Sequence, residues 1–505
     1  MATPDSMTSR SGPRTHHRPD AILALLSIAQ FMVFLGVSSV NLALPAIQND
    51  LSMSSVSLNY IVTAYGTVLG GFLLLGGRLA DTFGRRRILV WGFILFSLAS
   101  TVSALAPDGV TLIVSRGLTG LAAAFIAPAA LSILTNTFPE GAARNKALGI
   151  WGSLAGLASI VGVIVGGLLT DGPGWQWLFW INVPIGLAAA ALAPRILPES
   201  LAEERRRPFD TLGAVVLTTG LLLLIFTLGE ATHVGWGSAR TIGSLVAVVV
   251  LLTAFVVIES RVSSPMMPLR IFRLKTMRTA NISAVLIFGT FCALFFFASL
   301  FMQQVYGYSP MTAGFAYVPL GIALVIGAGL ASTLIAKIAA RPLLIVGLAA
   351  TVIGLLLLWL APINGNYAAH LLPAFLLLGL GCGLCFVTLQ IAAFVGVTNE
   401  EAGLGAGLIN TSQEAGGALG LAVIATIAYS GIATALTAAG DDPLKIREAH
   451  GQANHIAFLA SAALGLVALL LATFLFPKEN KEKKEKQPTT EQTKEPTPSR
   501  QGKNT

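Results

Sequence analysis

Apolar stretches long enough to cross the roughly 30 Å hydrocarbon layer of a bilayer recur along this chain between short polar segments. They run 21–47, 56–77, 88–106, 110–135, 145–170, 176–196, 211–229, 242–260, 280–303, 312–336, 342–362, 369–396, 403–434 and 454–476. A helix rises 1.5 Å per residue, so about 18–20 residues suffice for one crossing. The pattern predicts an all-α, polytopic membrane protein of about fourteen transmembrane helices. An even count places both termini on the same side.

The charges give an independent check on that count. All but four of the 32 Lys and Arg fall in the two tails, in every second loop or at the span ends beside those loops, counting from an N-terminus inside the cell. Arg240, Lys445 and Arg447 fall outside, and Arg116 lies deep within a span. Cytoplasmic loops carry the Lys/Arg excess, so this bias predicts a multi-pass protein of the cell membrane with both termini cytoplasmic. Composition agrees, at 54% hydrophobic and 11% charged residues. A net charge of +8 would otherwise raise nucleic acid as a partner. The basic residues are dispersed through short loops rather than gathered on one face, so no nucleic-acid partner is expected and the lipid bilayer is.

The domain plan follows from the same pattern. Residues 1–20 are polar without a signal-peptide cleavage pattern, and 477–505 are rich in Lys, Glu, Thr and Pro; both are expected to be disordered cytoplasmic tails. A six-helix bundle is expected over 21–196 and a second over 261–476. Between them, 197–260 holds a basic linker and two uncharged runs, Thr211 to Gly229 and Ile242 to Ile258, each long enough to span. These predict an inserted transmembrane hairpin. RRILVWG (Arg86 to Gly92) is echoed by RPLLIVG (Arg341 to Gly347) at the corresponding place in the second bundle, as expected of two related halves.

Candidate chemistry concentrates in GGRLADTFGRRR, Gly76 to Arg87. Gly77 and Gly84 let helix ends approach and turn tightly. Asp81 can sit against the positive N-terminus of another helix and accept from arginines in the loop, holding two halves of a bundle closed. A purely topogenic basic loop is the alternative. The stretch resembles the signature loop of the major facilitator superfamily. The resemblance implies two six-helix bundles that rock about a central site, with Gly77, Asp81, Gly84, Arg85 and Arg86 as a gating latch. In the second half Ala336 and Ala339 stand where Asp81 and Gly84 would be.

Further segments extend the resemblance. Arg116, in LIVSRGLTGLAAAF, is costly within a bilayer unless paired or hydrated; it resembles the family's motif B arginine, which implies proton coupling, although Thr119 replaces the usual glutamine. Alternatively it is a structural arginine donating to backbone carbonyls of neighbouring helices. Helix five carries Gly152, Gly156, Gly162, Gly166 and Gly167, a small-residue groove for close packing. It resembles motif C, which accompanies exporters, with Val163 in place of the motif's proline. Together with VNLALPAI (40–47), WQWLFWINVPIGL (175–187), PLRIF (268–272) and GYSPMTAGFAYVP (307–319), nearly all of 21–476 is similar to the fourteen-helix drug:proton antiporters. Trp175, Trp177 and Trp180 fit an outer interfacial belt.

The departures bear on mechanism. Where the family often has an aspartate in helix one this chain has Gly36, with Ser38 at a following threonine position. Asn41 can hydrogen-bond but cannot titrate. Glu414, in LINTSQEAGGALG, is flanked by uncharged residues for several turns and could load and release a proton, unless it is a neutral stand-in for the family's usual glutamine. Glu230 and Glu259, at the hairpin ends, read as solvated interfacial carboxylates. Arg116 and Glu414 are thus the expected proton-coupling pair. Ser38, Asn41, Asn281 and Gln390 are the candidate contacts for an amphiphilic drug or antibiotic.

No enzymatic centre, cofactor or metal site is expected. No phosphate-binding loop of the G-x-x-x-x-G-K type occurs, the histidines lie in tails or near helix ends, and Cys382 and Cys385 read as helix packing. Protons, a small molecule and lipid are the expected partners. The expectation is a secondary active exporter, with an importer of the same fold as its rival and a non-transporting receptor as a remote one.

Overall fold

The computed structural model describes residues 19–38, 40–53, 55–198, 210–262, 265, 267, 269–395, 397–398, 401–430, 432 and 442–476. Both tails, and linker positions 199–209, lie outside the described residues, as do the side chains of some helical positions. Every regular element among the described residues is helical.

The first half contains α1 (Pro19–Ser38), α2 (Val40–Asp50), α3 (Ser55–Phe83), α4 (Arg85–Ala104), α5 (Gly109–Thr137), α6 (Ala142–Asp171), α7 (Trp177–Trp180) and α8 (Asn182–Ile196). Two central helices follow, α9 (Thr211–Val234) and α10 (Ala239–Arg261). The second half contains α11 (Lys275–Leu300), α12 (Pro310–Ala316), α13 (Val318–Ile338), α14 (Ala340–Trp359), α15 (Leu372–Ala393), α16 (Ala402–Tyr429) and α17 (Pro443–Leu475).

Most expected spans coincide with one helix, and the differences have local causes. The expected run 312–336 divides at Tyr317, because Pro319 lacks an amide hydrogen and sits in the first turn of α13. The run 280–303 extends into a π turn, Phe301–Val305, and 369–396 starts in another, Tyr367–Leu371. The last helix begins at Pro443 rather than near 454, since Asp442 caps it by accepting from Leu444 N at 3.0 Å. Lys445 and Arg447, expected in a loop, therefore ride on its first turns.

Twelve helical stretches among the described residues are long and apolar enough to cross a membrane, so this is a multi-pass membrane protein. Two further helices are long, α6 with 30 residues and α16 with 28. The latter is less apolar because it carries the run Asn410 to Glu414. In the first half α5 packs against α3 and α4, and α4 against α8; in the second, α15 packs against α13 and α14, and α11 against α16 and α17. The halves meet where α16 lies on α3 and α5, and where α6 lies on α13 and α15. Helix α9 packs on α10, α3 and α16, whereas α10 leaves a valine-rich face open, with Val246 57% and Val249 63% exposed. Such a face suits lipid.

The internal repeat is visible in the backbone. Gly84 starts α4 with φ 107°, and Ala339 starts α14 with φ 74°, a left-handed value that favours glycine. Arg86 donates to the Pro194 and Leu197 carbonyls at 3.3 and 3.1 Å, closing the C-terminal end of α8. Arg341 donates in the same way to the Thr473 carbonyl near the end of α17. Cations at helix C-termini meet the negative end of the helix dipole, and both halves use this device.

Candidate functional site

The first turn of any helix leaves backbone N–H groups without partners and concentrates partial positive charge. At the start of α16 those groups are met by a side chain of the other half. Asp81, in the last turn of α3, accepts from Gly403 N at 3.1 Å through Oδ1 and from Leu404 N at 2.9 Å through Oδ2. Arg85 donates to Oδ1 from Nε at 3.0 Å and Nη2 at 2.9 Å. Asp81 and Arg85 are each 3% exposed, so a buried carboxylate is matched by a guanidinium and two amides.

The approach depends on glycine. A Cβ on Gly77 would lie 2.3 Å from the Gly403 carbonyl oxygen, which is backbone and cannot yield. Of the five expected latch residues, Gly77, Asp81 and Arg85 meet at the start of α16. Gly84 makes the turn into α4, and Arg86 lies apart on α8. Around them Arg270 pairs with Glu401 at 2.7 Å, and Arg78 Nη2 donates to the Pro265 carbonyl at 3.4 Å.

Arg116 is 1% exposed on α5. Its Nε donates to the Ile61 carbonyl at 3.2 Å and its Nη2 to the Gly36 carbonyl at 2.9 Å. The guanidinium carbon stands 4.5 Å from the centre of the Tyr65 ring, a cation–π arrangement. The charge is therefore held by carbonyls and an aromatic face, the geometry of the structural alternative. Gly36, the position without the family's helix-one acid, supplies one of those carbonyls.

Glu414 is half-buried on α16, where a Cβ on Gly70 of α3 would meet its own Cβ at 3.3 Å and Ile225 Cδ1 of α9 at 2.4 Å. It makes no hydrogen bond or ion pair with a described residue, and lies within electrostatic reach of Tyr65 and Cys292. Tyr65, whose ring faces the Arg116 guanidinium, donates to the Val33 carbonyl at 3.0 Å. Nothing in the sequence marks Tyr65, a lone aromatic in an apolar helix.

The candidate substrate contacts fare differently. Asn281 is already engaged: Nδ2 donates to the Met277 carbonyl at 2.8 Å, and Oδ1 accepts from Ser412 at 2.7 Å. Gln390 is 6% exposed and its Oε1 has no donor. The side chains of Ser38 and Asn41 lie outside the described residues. Unpartnered buried polar atoms that the sequence does not mark include Gln30 Oε1 on α1, Thr388 Oγ1 on α15, and Asn410 Nδ2 and Thr411 Oγ1 on α16. Buried polar atoms without partners are rare and ask for water or ligand.

Other expectations change. Glu259, read as solvated, is 4% exposed because the chain after α10 folds back and Met267 N donates to it. Of the expected belt tryptophans, Trp175 is covered by protein at 4% exposure, with Nε1 donating to Asp50 at 2.9 Å, whereas Trp177 is half exposed. Gly162 and Gly166 are buried and Gly167 lies outside the described side chains. Tight contacts of α6 are made at Gly149 and Gly152, where a Cβ would meet Ser332 Cβ at 2.4 Å and Val387 Cγ2 at 2.6 Å. No group of three or more His, Cys, Asp or Glu among the described residues could hold a metal ion, and Cys382 and Cys385 are buried free thiols.

Comparison with known proteins places this arrangement. Residues 26–421 match the family model of the Major Facilitator Superfamily. The chain is 37% identical over 457 residues to a puromycin resistance protein of Streptomyces alboniger, covering 89% of this chain and 90% of that one. It is 36% identical to a cephamycin export protein of Amycolatopsis lactamdurans, covering 81% and 85%. Among solved structures, the crystal structure of a human organic anion transporter superposes with a TM-score of 0.67 at 16% identity, over 91% of this chain and 100% of that one. That last likeness concerns the fold.

Proposed function

This chain belongs to the Major Facilitator Superfamily, and we propose that it exports an amphiphilic antibiotic or drug by proton-coupled antiport with alternating access. The observation that carries the reading is Asp81 of α3 closing onto the N-terminus of α16, a contact between the two halves made by the last turn of one helix and the first turn of the other. A contact made of a few charge-assisted hydrogen bonds can be broken and remade as the halves rock. The cargo class follows from the relatives, whose names are those of antibiotic resistance and export proteins. The unpartnered polar atoms of Gln30, Thr388, Gln390 and Asn410 supply hydrogen bonds for a substrate in an otherwise apolar interior.

In this reading α6 and α16 also span the membrane, which brings the crossings to fourteen. Helices α9 and α10 form an inserted transmembrane hairpin between two six-helix bundles, and both termini face the cytoplasm of the cell. Asp81, Arg85 and Gly77 form the cytoplasmic latch. Glu414 takes and releases the coupling proton, with Tyr65 within its electrostatic reach and Arg116 as the fixed charge against the Tyr65 ring. The test is accumulation of labelled amphiphilic antibiotics in cells with and without the protein. Lower accumulation with it is expected; equal or higher accumulation across the panel overturns export.

A further inference from the structure

The base of the α9–α10 pair contains a second set of acids, apart from the Glu414 region. Asp210 caps α9, its Oδ1 accepting from Gly213 N at 2.9 Å. Glu259 sits in the last turns of α10, 4% exposed, and its Oε1 accepts from Met267 N. The two remaining oxygens, Asp210 Oδ2 and Glu259 Oε2, are buried and have no donor.

These two oxygens converge. A Cβ on Gly213 would lie 2.2 Å from Asp210 Oδ2 and 3.2 Å from Glu259 Oε2, so both oxygens flank one point beside the first turn of α9. Ionised carboxylates only accept hydrogen bonds, and two of them in contact repel. Two buried oxygens without donors that flank one point are relieved by a hydrogen held between them. We propose that Asp210 and Glu259 share a single proton, forming a proton-binding site at the base of the α9–α10 pair that is separate from Glu414.

The surroundings favour a proton over a metal ion. Two free oxygens fall short of the six to eight ligands that a calcium ion takes, and no further acid, histidine or cysteine joins them among the described residues. Of the charged groups on the packed helices, Arg78 of α3 reaches Glu259 electrostatically, with its Nη2 donating to Pro265. Asp81 of α3 is engaged by Arg85 and α16, Glu414 of α16 acts instead on Tyr65 and Cys292, and Arg261 of α10 is exposed. Arg78 balances one carboxylate, and the shared proton neutralises the other. Because Arg78 lies one helical turn before Asp81, this site ties the protonation of the helix pair to the contact of Asp81 with α16. The inference does not depend on the cargo or on the direction of transport.

The test is infrared spectroscopy of the full-length protein in lipid nanodiscs, in a Glu414→Gln background so that Glu414 contributes no signal. A protonated-carboxyl C=O band that shifts in D2O is expected at neutral pH and is expected to be lost in Glu259→Gln and in Asp210→Asn. Absence of the band in the parent, or its survival in both variants, overturns the proposal. Should a variant fail to fold, loss of the band from the parent as pH is raised decides the matter, and a pH-insensitive band overturns it. Melting temperature gives a second readout. The parent is expected to lose stability as alkali removes the shared proton, and the variants to lose that decline; identical profiles overturn the proposal. Loss of the band on adding sodium or calcium, with stabilisation of the parent alone, assigns the site to a cation and also overturns it.

Discussion

Replacing Asp81 by Asn keeps the side chain's shape and removes its charge. The carboxylate accepts four hydrogen bonds, two from α16 amides at 3.1 and 2.9 Å and two from Arg85 at 3.0 and 2.9 Å. An amide has one acceptor oxygen, so its NH2 must face a group that also donates. Breaking a buried ion pair costs about 3–5 kcal/mol, largely from the charge left behind. The Arg85 share lies within one half and is lost whether the halves are together or apart. The share that distinguishes those states lies in the two amide bonds to the α16 N-terminus, of which the Asn oxygen can keep one; losing the other costs about 2–3 kcal/mol for a hydrogen bond to a charged acceptor. At about 1.4 kcal/mol per tenfold, the closed state loses roughly 30- to 140-fold in population relative to the open one. Spin labels at Phe83 and Val395, both exposed at this end, would report it by electron–electron distance measurement in a protein lacking Cys292, Cys382 and Cys385. Asp81→Asn is expected to add a longer-distance population. An unchanged distribution would refute the latch and its estimated strength.

Other substitutions probe separate parts. Ala339→Gly relieves a left-handed backbone at φ 74° and is expected to raise stability by about 1 kcal/mol, read as a higher melting temperature. Gly77→Ala forces a Cβ to 2.3 Å from the Gly403 carbonyl; the same distance measurement should show this end held open, and a closed distribution would contradict the packing. Gly36→Asp meets nothing nearer than 3.6 Å at its Cβ and puts a carboxylate beside Arg116; the variant should fold and its transport should change pH dependence, whereas loss of folding would speak against that geometry. Glu414→Gln is expected to abolish proton-driven efflux in proteoliposomes while leaving drug binding measurable, and intact efflux would remove Glu414 from the coupling.

How legible this was from sequence differs residue by residue. Hydropathy and charge placement suffice for a helical membrane protein, because lipid forces backbone polar groups to be satisfied within each helix. The loop chemistry around Asp81 pointed to the N-terminus of another helix, but α16 as that helix is a tertiary fact. Sequence leaves two roles open for Arg116, and spacing does not name its carbonyl partners at Ile61 and Gly36. Tyr65 was invisible, since an aromatic in an apolar helix has no distinguishing neighbours in sequence. Glu259 was misread because its position near a helix end suggests solvent. The fold-back that brings Met267 N to it is not a local property. Asn281 looked available for a ligand, yet Ser412, far along the chain, already occupies its Oδ1.

Proton-coupled export is tested most directly by following protons and drug together in proteoliposomes containing the purified protein. With a proton gradient imposed, a labelled antibiotic is expected to move against the proton flow, and adding the drug alone is expected to drive protons the opposite way, with neither movement in Glu414→Gln vesicles. Drug and protons moving in the same direction, or drug transport without any proton movement, would contradict it.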